Sequence, residues 1–121
     1  MSDLKTFADY QVWIIRNAFY PGLRKMFDPP NMEGVSYCTL GLVGEAGEVA
    51  DKVKKILRDH GGELTHELKD GLVKEMGDVL WYLNALANEL NVNMEFVAQT
   101  NVDKIESRTA RGTRSGSGDD R

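Results

Sequence analysis

All three prolines of this chain, Pro21, Pro29 and Pro30, fall in its first quarter, and none occurs from Asn31 to Arg121. Proline limits how far a helix runs, because it lacks the N–H and its ring clashes with the preceding turn. The rest of the chain is therefore free to form long uninterrupted helices, and its apolar spacing supports them. From about Thr39 to Arg58, residues Leu42, Val43, Ala46, Val49, Ala50, Val53, Ile56 and Leu57 form one broad stripe at helical period, predicted to face inward. Asp59–Gly62 reads as a stop and turn, with Gly61 and Gly62 available for left-handed backbone. A further helix from about Thr65 to Leu90 points Leu68, Leu72, Val73, Met76, Val79, Leu80, Leu83, Leu86 and Leu90 inward, and another runs from Asn91–Asn93 to about Arg111. Upstream, Leu4, Phe7, Ile14, Ile15 and Ala18 give helical spacing from Asp3 to about Tyr20, although Val12–Ile15 alone would pass for a strand. Residues 22–36 read as an irregular connection, with Pro29 and Pro30 blocking helix there. The prediction is an all-α fold, a four-to-five-helix bundle.

At 121 residues the chain fits one domain, predicted over residues 1–111. Residues 112–121 form a Gly/Ser-rich tail with no apolar side chain to bury, expected to be flexible unless something docks it. A net charge of −4 argues against nucleic-acid binding, which relies on surplus Lys and Arg. Cys38 is the single cysteine, so neither an internal disulfide nor a cysteine zinc site is available, and with no His beside it in sequence it reads as a small buried side chain. No apolar run approaches the roughly 18 residues that span a membrane, and Met1–Phe7 lacks the form of a signal peptide. The expectation is a cytoplasmic protein.

Two pairs of acids break the surface pattern. Glu45 and Glu48 lie three apart on the second helix, and Glu75 and Asp78 three apart on the third. Each pair points to one side of its helix, along the flank of the apolar stripe. If those flanks face each other, four carboxylates meet along a seam at the edge of the core. Glycine supports close approach there: the chain has 12, and Gly41, Gly44, Gly47, Gly71 and Gly77 sit in or beside helical segments. Each costs about 0.5–1 kcal/mol relative to Ala inside a helix, which is reasonable where another helix or a ligand must come near.

Four carboxylates in a partly dry seam repel one another, so a cation must intervene or some must hold protons. Oxygen ligands without His or Cys favour a hard ion, Mg²⁺ with Mn²⁺ as a substitute, and such an ion most often presents a phosphate substrate. The plainer reading of one E-x-x-E pair is a solvated helix face. Two pairs on adjacent helices, each accompanied by helix glycines, favour metal.

The order Glu45–Glu48, then 26 residues, then Glu75–Asp78 follows E-x2-E-x26-E-x2-D. With the strings Gly41–Val49 and Lys74–Leu83, and Asn101, Lys104 and Arg108 downstream, it resembles the MazG-like all-α nucleoside triphosphate pyrophosphohydrolase superfamily over residues 39–111. Tyr10 and Gln11 are a weaker echo. The resemblance implies hydrolysis of a nucleoside triphosphate between its α and β phosphates, Mg²⁺ as cofactor, homodimers or homotetramers, and removal of unwanted nucleotides. It implies Glu45, Glu48, Glu75 and Asp78 as metal ligands. Glu48, with Glu45 beside it, would orient or deprotonate the attacking water.

Lys104 and Arg108 would meet the outer phosphates and Asn101 the sugar or base. Without the resemblance, Lys104 and Arg108 read as a solvated basic stripe near a helix C-terminus. Lys52 and Lys55 either bind phosphate or offset the acids. Tyr82, one turn beyond Asp78, is a candidate for stacking on a base, whereas Trp81 is turned away, toward packing or a subunit contact. Trp13 is left open between core and pocket. His60 and His66 read as surface residues. Arg114 or Arg121 would reach phosphate if the tail folded over the site.

Three rivals stand beside this reading. A di-iron or di-manganese carboxylate bundle uses Glu-x-x-His pairs, and here Glu48 and Asp78 occupy the His positions. A phosphoribosyl-ATP pyrophosphohydrolase is a narrower variant of the same chemistry. A non-enzymatic helical metal-binding or oligomerisation module predicts no catalytic loss on changing Glu48.

Overall fold

The computed structural model describes residues 3–119, which hold four α-helices and no strand: α1 Phe7–Asn17, α2 Met32–Asp59, α3 His66–Glu89 and α4 Met94–Ala110. The all-helical prediction holds, and the boundaries differ where capping side chains decide them. Thr6 caps α1: its side chain accepts from the Asp9 N–H at 3.1 Å, while the Asp9 carboxylate accepts from the Thr6 N–H at 2.9 Å. That reciprocal box starts α1 later than the expected Asp3, and extended backbone at Ala18 ends it before Tyr20.

The larger correction is at α2, which starts at Met32, about two turns before the expected Thr39. Pro29 and Pro30 block helix only up to Asn31, whose side chain accepts from the Gly34 N–H at 3.0 Å and donates to the Gly22 carbonyl at 3.1 Å. Cys38 therefore lies inside α2 and not ahead of it. Gly61 and Gly62 take positive φ in the α2–α3 turn as expected, and Asn91 does so in the α3–α4 turn.

Helices α2 and α3 form a long antiparallel hairpin, with Gly34 against Glu89, Gly41 against Tyr82 and Lys52 against Glu75. The positions of α2 turned toward α3 are Cys38, Leu42, Glu45, Val49, Lys52 and Ile56, all buried or half-buried. The single inward stripe expected on α2 thus divides in two. Val43, Val53 and Leu57 on α2, with Val73 and Met76 on α3, are exposed in the single chain, Val43 at 67% and Met76 at 58%. Leu90, expected inward, is also exposed.

The best-packed region lies at the α2 N-terminal end of the hairpin, where Ile14, Tyr20, Cys38 and Ala85 are buried with Trp81, Leu23 and Leu86 against them. Trp81 meets the Tyr20 ring edge-on at 6.2 Å, the packing role expected of it. Gln11 ties α1 to the α3–α4 turn by donating to the Asn88 side chain at 2.7 Å and the Val92 carbonyl at 2.9 Å. No helix among the described residues is long and apolar enough to cross a membrane. Beyond α4, Asp119 turns back toward Lys104 and Arg108. Arg121, named above as a possible phosphate contact, lies outside the described residues.

Candidate metal centre

The hairpin register places Glu45 of α2 opposite Glu75 and Asp78 of α3. One carboxylate oxygen from each falls within 4.8 Å of the other two. Glu45 and Glu75 are half-buried in the seam and Asp78 is exposed at its edge. Glu48, one turn along α2, is exposed and stands outside this three-oxygen group.

Desolvation pushes the Glu45 carboxyl above its ordinary range, and the charges of Asp78, Glu75 and Glu48 push it in the same direction. Lys52 offsets part of this charge, its Nζ lying 3.3 Å from Glu75 Oε1. Lys55 instead pairs with Asp51 on its own helix at 2.5 Å. From α1, Tyr10 approaches the centre: burial raises its phenol, and the Asp78 charge adds to that. Trp13 is partly exposed and stacks on Tyr10 with ring centroids 6.3 Å apart.

The raised carboxyl has a measurable consequence. The folded chain holds the Glu45 proton more tightly than the unfolded chain does, so stability contributed by the neutral form is lost as pH rises above the ordinary carboxylate value through the raised one. Metal-free Glu45→Gln is expected to melt a few degrees above the wild type beyond that range and level with it below. Mg²⁺ should raise the melting temperature of the wild type and do so much less for the variant. Thermal denaturation against pH, with chelator and with Mg²⁺, measures both effects.

Within the single chain, the close helix approach expected of the five helical glycines is met at Gly41. A Cβ there would collide with the Tyr82 ring, whereas one at Gly44, Gly47, Gly71 or Gly77 would meet nothing within 4 Å. Tyr82 is accordingly half-buried in the seam, with its ring over the α2 backbone and Trp81 edge-on at 5.0 Å. His60 and His66 are exposed, as expected. Cys38 is fully buried and burial raises its thiol, the opposite of what a nucleophile needs.

Beyond the acids, the α2–α3 seam opens into a cleft of about 550 Å³ lined by Lys52, Lys55, Asp59, Asp70, Gly71 and Lys74. A larger cleft of about 820 Å³ lies between α1, residues 23–26 and the start of α4. It is remote from the acid cluster, and the Gln11 and Arg24 side chains on its wall are already bonded to backbone carbonyls. The smaller cleft shares Lys52 with the acid seam.

On α4, Asn101 is exposed, while Lys104 and Arg108 pair with Asp119 and with none of the four acids. Periodicity missed one charged group altogether. Glu89 is 1% exposed, with Oε1 accepting from the Tyr20 hydroxyl at 2.5 Å and the Arg24 N–H at 3.0 Å. The available signal was a glutamate at an inward helical position, in line with Tyr82, Ala85 and Leu86.

Known proteins resemble the chain over most of its length. Residues 34–112 match the family model for the MazG nucleotide pyrophosphohydrolase domain. The "Gene 37 protein" of Mycobacterium phage L5 is 52% identical over 112 residues, covering 93% of this chain and 96% of the relative. No solved structure matches the chain.

Proposed function

The chain belongs to the MazG nucleotide pyrophosphohydrolase domain family, and from that premise we propose that it hydrolyses nucleoside triphosphates to monophosphate and pyrophosphate. The observation that carries this reading is the meeting of Glu45, Glu75 and Asp78 oxygens within 4.8 Å of one another, with Lys52 joining them to a cleft lined by three lysines and three acids. Three hard oxygen donors, one of them desolvated and burdened by its neighbours' charge, suit Mg²⁺, with Mn²⁺ as substitute. When bound, the ion supplies neutralisation of charge on the phosphate oxygens and a more acidic water.

The remaining roles belong to side chains of this chain. Glu48, projecting one turn outside the three-oxygen group, completes the ligand set or orients and deprotonates the attacking water, with Glu45 beside it. Lys52, already at the acids, and Lys55, on the cleft wall, take the polyphosphate. Lys104 and Arg108 contact the outer phosphates, Asn101 the sugar or base, and Tyr82 stacks on the base. Phosphoryl chemistry needs this combination of positioning and charge neutralisation more than any covalent participation.

A second copy of the chain would cover the exposed apolar faces of α2 and α3, giving the homodimer or homotetramer expected of the sequence. We assign residues 1–111 to the catalytic domain and 112–121 to an appended tail. The setting we infer is cytoplasmic nucleotide-pool house-cleaning, with neither nucleic acid nor membrane as a partner.

The test is incubation with Mg²⁺ and a panel of standard and modified NTPs and dNTPs, together with phosphoribosyl-ATP, separating pyrophosphate from orthophosphate. Pyrophosphate with monophosphate, abolished by chelator, is the expected result. Orthophosphate alone would place cleavage at another bond. No product, with no stabilisation by Mg²⁺, would favour the non-enzymatic module.

A further inference from the structure

We propose that residues 112–119 form an internal competitor for substrate, with the Asp119 carboxylate held by Lys104 and Arg108 in the place of a phosphate. The inference rests on the phosphate role assigned to those two cations above.

Arg108 is the buried cation of α4, at 9% exposure. Its Nη2 donates to the Asp119 carboxylate at 3.1 Å and to the Gly118 and Asp119 carbonyls at 3.0 Å each. Lys104 Nζ lies 3.3 Å from the same carboxylate oxygen, so one oxygen bridges both cations one helical turn apart. A carboxylate oxygen shared between Lys and Arg is the arrangement that a phosphate oxygen would adopt there. The path back is short, because Gly112 and Gly118 both take positive φ and let the chain reverse onto α4.

The hold is incomplete, which is what makes it displaceable. Arg108 Nε is buried without a hydrogen-bond partner, so the tail engages one nitrogen of the guanidinium fork and leaves the other unused. A phosphate engages Nε and Nη2 together in the parallel geometry that carboxylates and phosphates share, and it brings more charge. Asp119 itself is 82% exposed, where an ion pair is weak and screened by salt. A polyphosphate therefore displaces the tail at a modest loss of apparent affinity.

The experiment uses the full chain, with inorganic tripolyphosphate as probe in titration calorimetry at low ionic strength. Asp119→Asn is expected to bind tripolyphosphate about two- to fivefold more tightly than the wild type, the range an exposed ion pair allows. In a Lys104→Gln/Arg108→Gln background the same substitution should make no difference, since both cations it releases are gone. With the nucleotide found by panel assay, KM should fall by a similar factor while kcat is unchanged. Equal or weaker tripolyphosphate binding by Asp119→Asn would overturn the competitor and leave the phosphate assignment standing. Failure of both forms to bind tripolyphosphate would overturn the phosphate assignment and the competitor with it.

Discussion

Replacing Glu75 with Gln is expected to lower kcat at least about 100-fold, the usual loss when one element of charge stabilisation is removed from an active site. Glu75 serves two partners: it supplies one of the three close oxygens and it holds Lys52 at 3.3 Å. On the proposed function, the amide removes a charge that would hold the cation, and it releases the lysine from Glu75. Asp78→Asn should behave alike for the first reason alone, because Asp78 makes no ion pair with Lys52. The loss should come without unfolding. In the metal-free chain each substitution removes a charge that raises the Glu45 carboxyl, so the variants should melt at or slightly above the wild-type temperature. Steady-state rates beside thermal melts make the comparison. Activity within threefold of wild type for both variants would remove the carboxylate centre from the mechanism and return weight to the non-enzymatic module.

Glu89→Ala is expected to cost about 3–5 kcal/mol of folding stability, combining a cavity with two buried donors left unpaired. Those donors are the Tyr20 hydroxyl and the Arg24 N–H, which both reach Glu89 Oε1. Through them Glu89 joins the end of α3 to the irregular segment that follows α1. It also packs on the start of α2, where Gly34 leaves room: a Cβ there would come within 2.5 Å of Glu89 Oε2. Glu89→Gln keeps a carbonyl oxygen for both donors and should cost only about 1 kcal/mol. Urea denaturation of the two variants measures the gap. An alanine variant as stable as the glutamine one would mean that the buried bonds contribute little and that packing alone holds this corner. Such a loss is a large share of the roughly 5–15 kcal/mol that keeps a domain folded.

These two residues show what can be read along a chain and what cannot. Glu75 was legible because its partner acid, its spacing and its neighbouring glycines all lie in a few consecutive residues. Glu89 was not, because its partners Tyr20 and Arg24 come from 69 and 65 residues away and no local pattern links them. Asn31 illustrates the boundary problem: Pro29 and Pro30 conceal a helix start that the next side chain caps. The apolar stripe of α2 was visible as a stripe, but periodicity alone does not tell which part of it meets α3 and which part stays exposed.

The sequence by itself determined the all-α class, the long hairpin helices, and the acids that share a flank on each. It could do so because helix periodicity and proline placement act within a few residues of chain. Only the tertiary structure decided that Glu45, Glu75 and Asp78 converge while Glu48 stands apart. It also decided that Lys52 joins the acids while Lys55 turns to Asp51. Those outcomes depend on the register and rotation of α2 against α3. Register is set by contacts distant in sequence, from Gly41 beneath Tyr82 to Glu89 against Gly34.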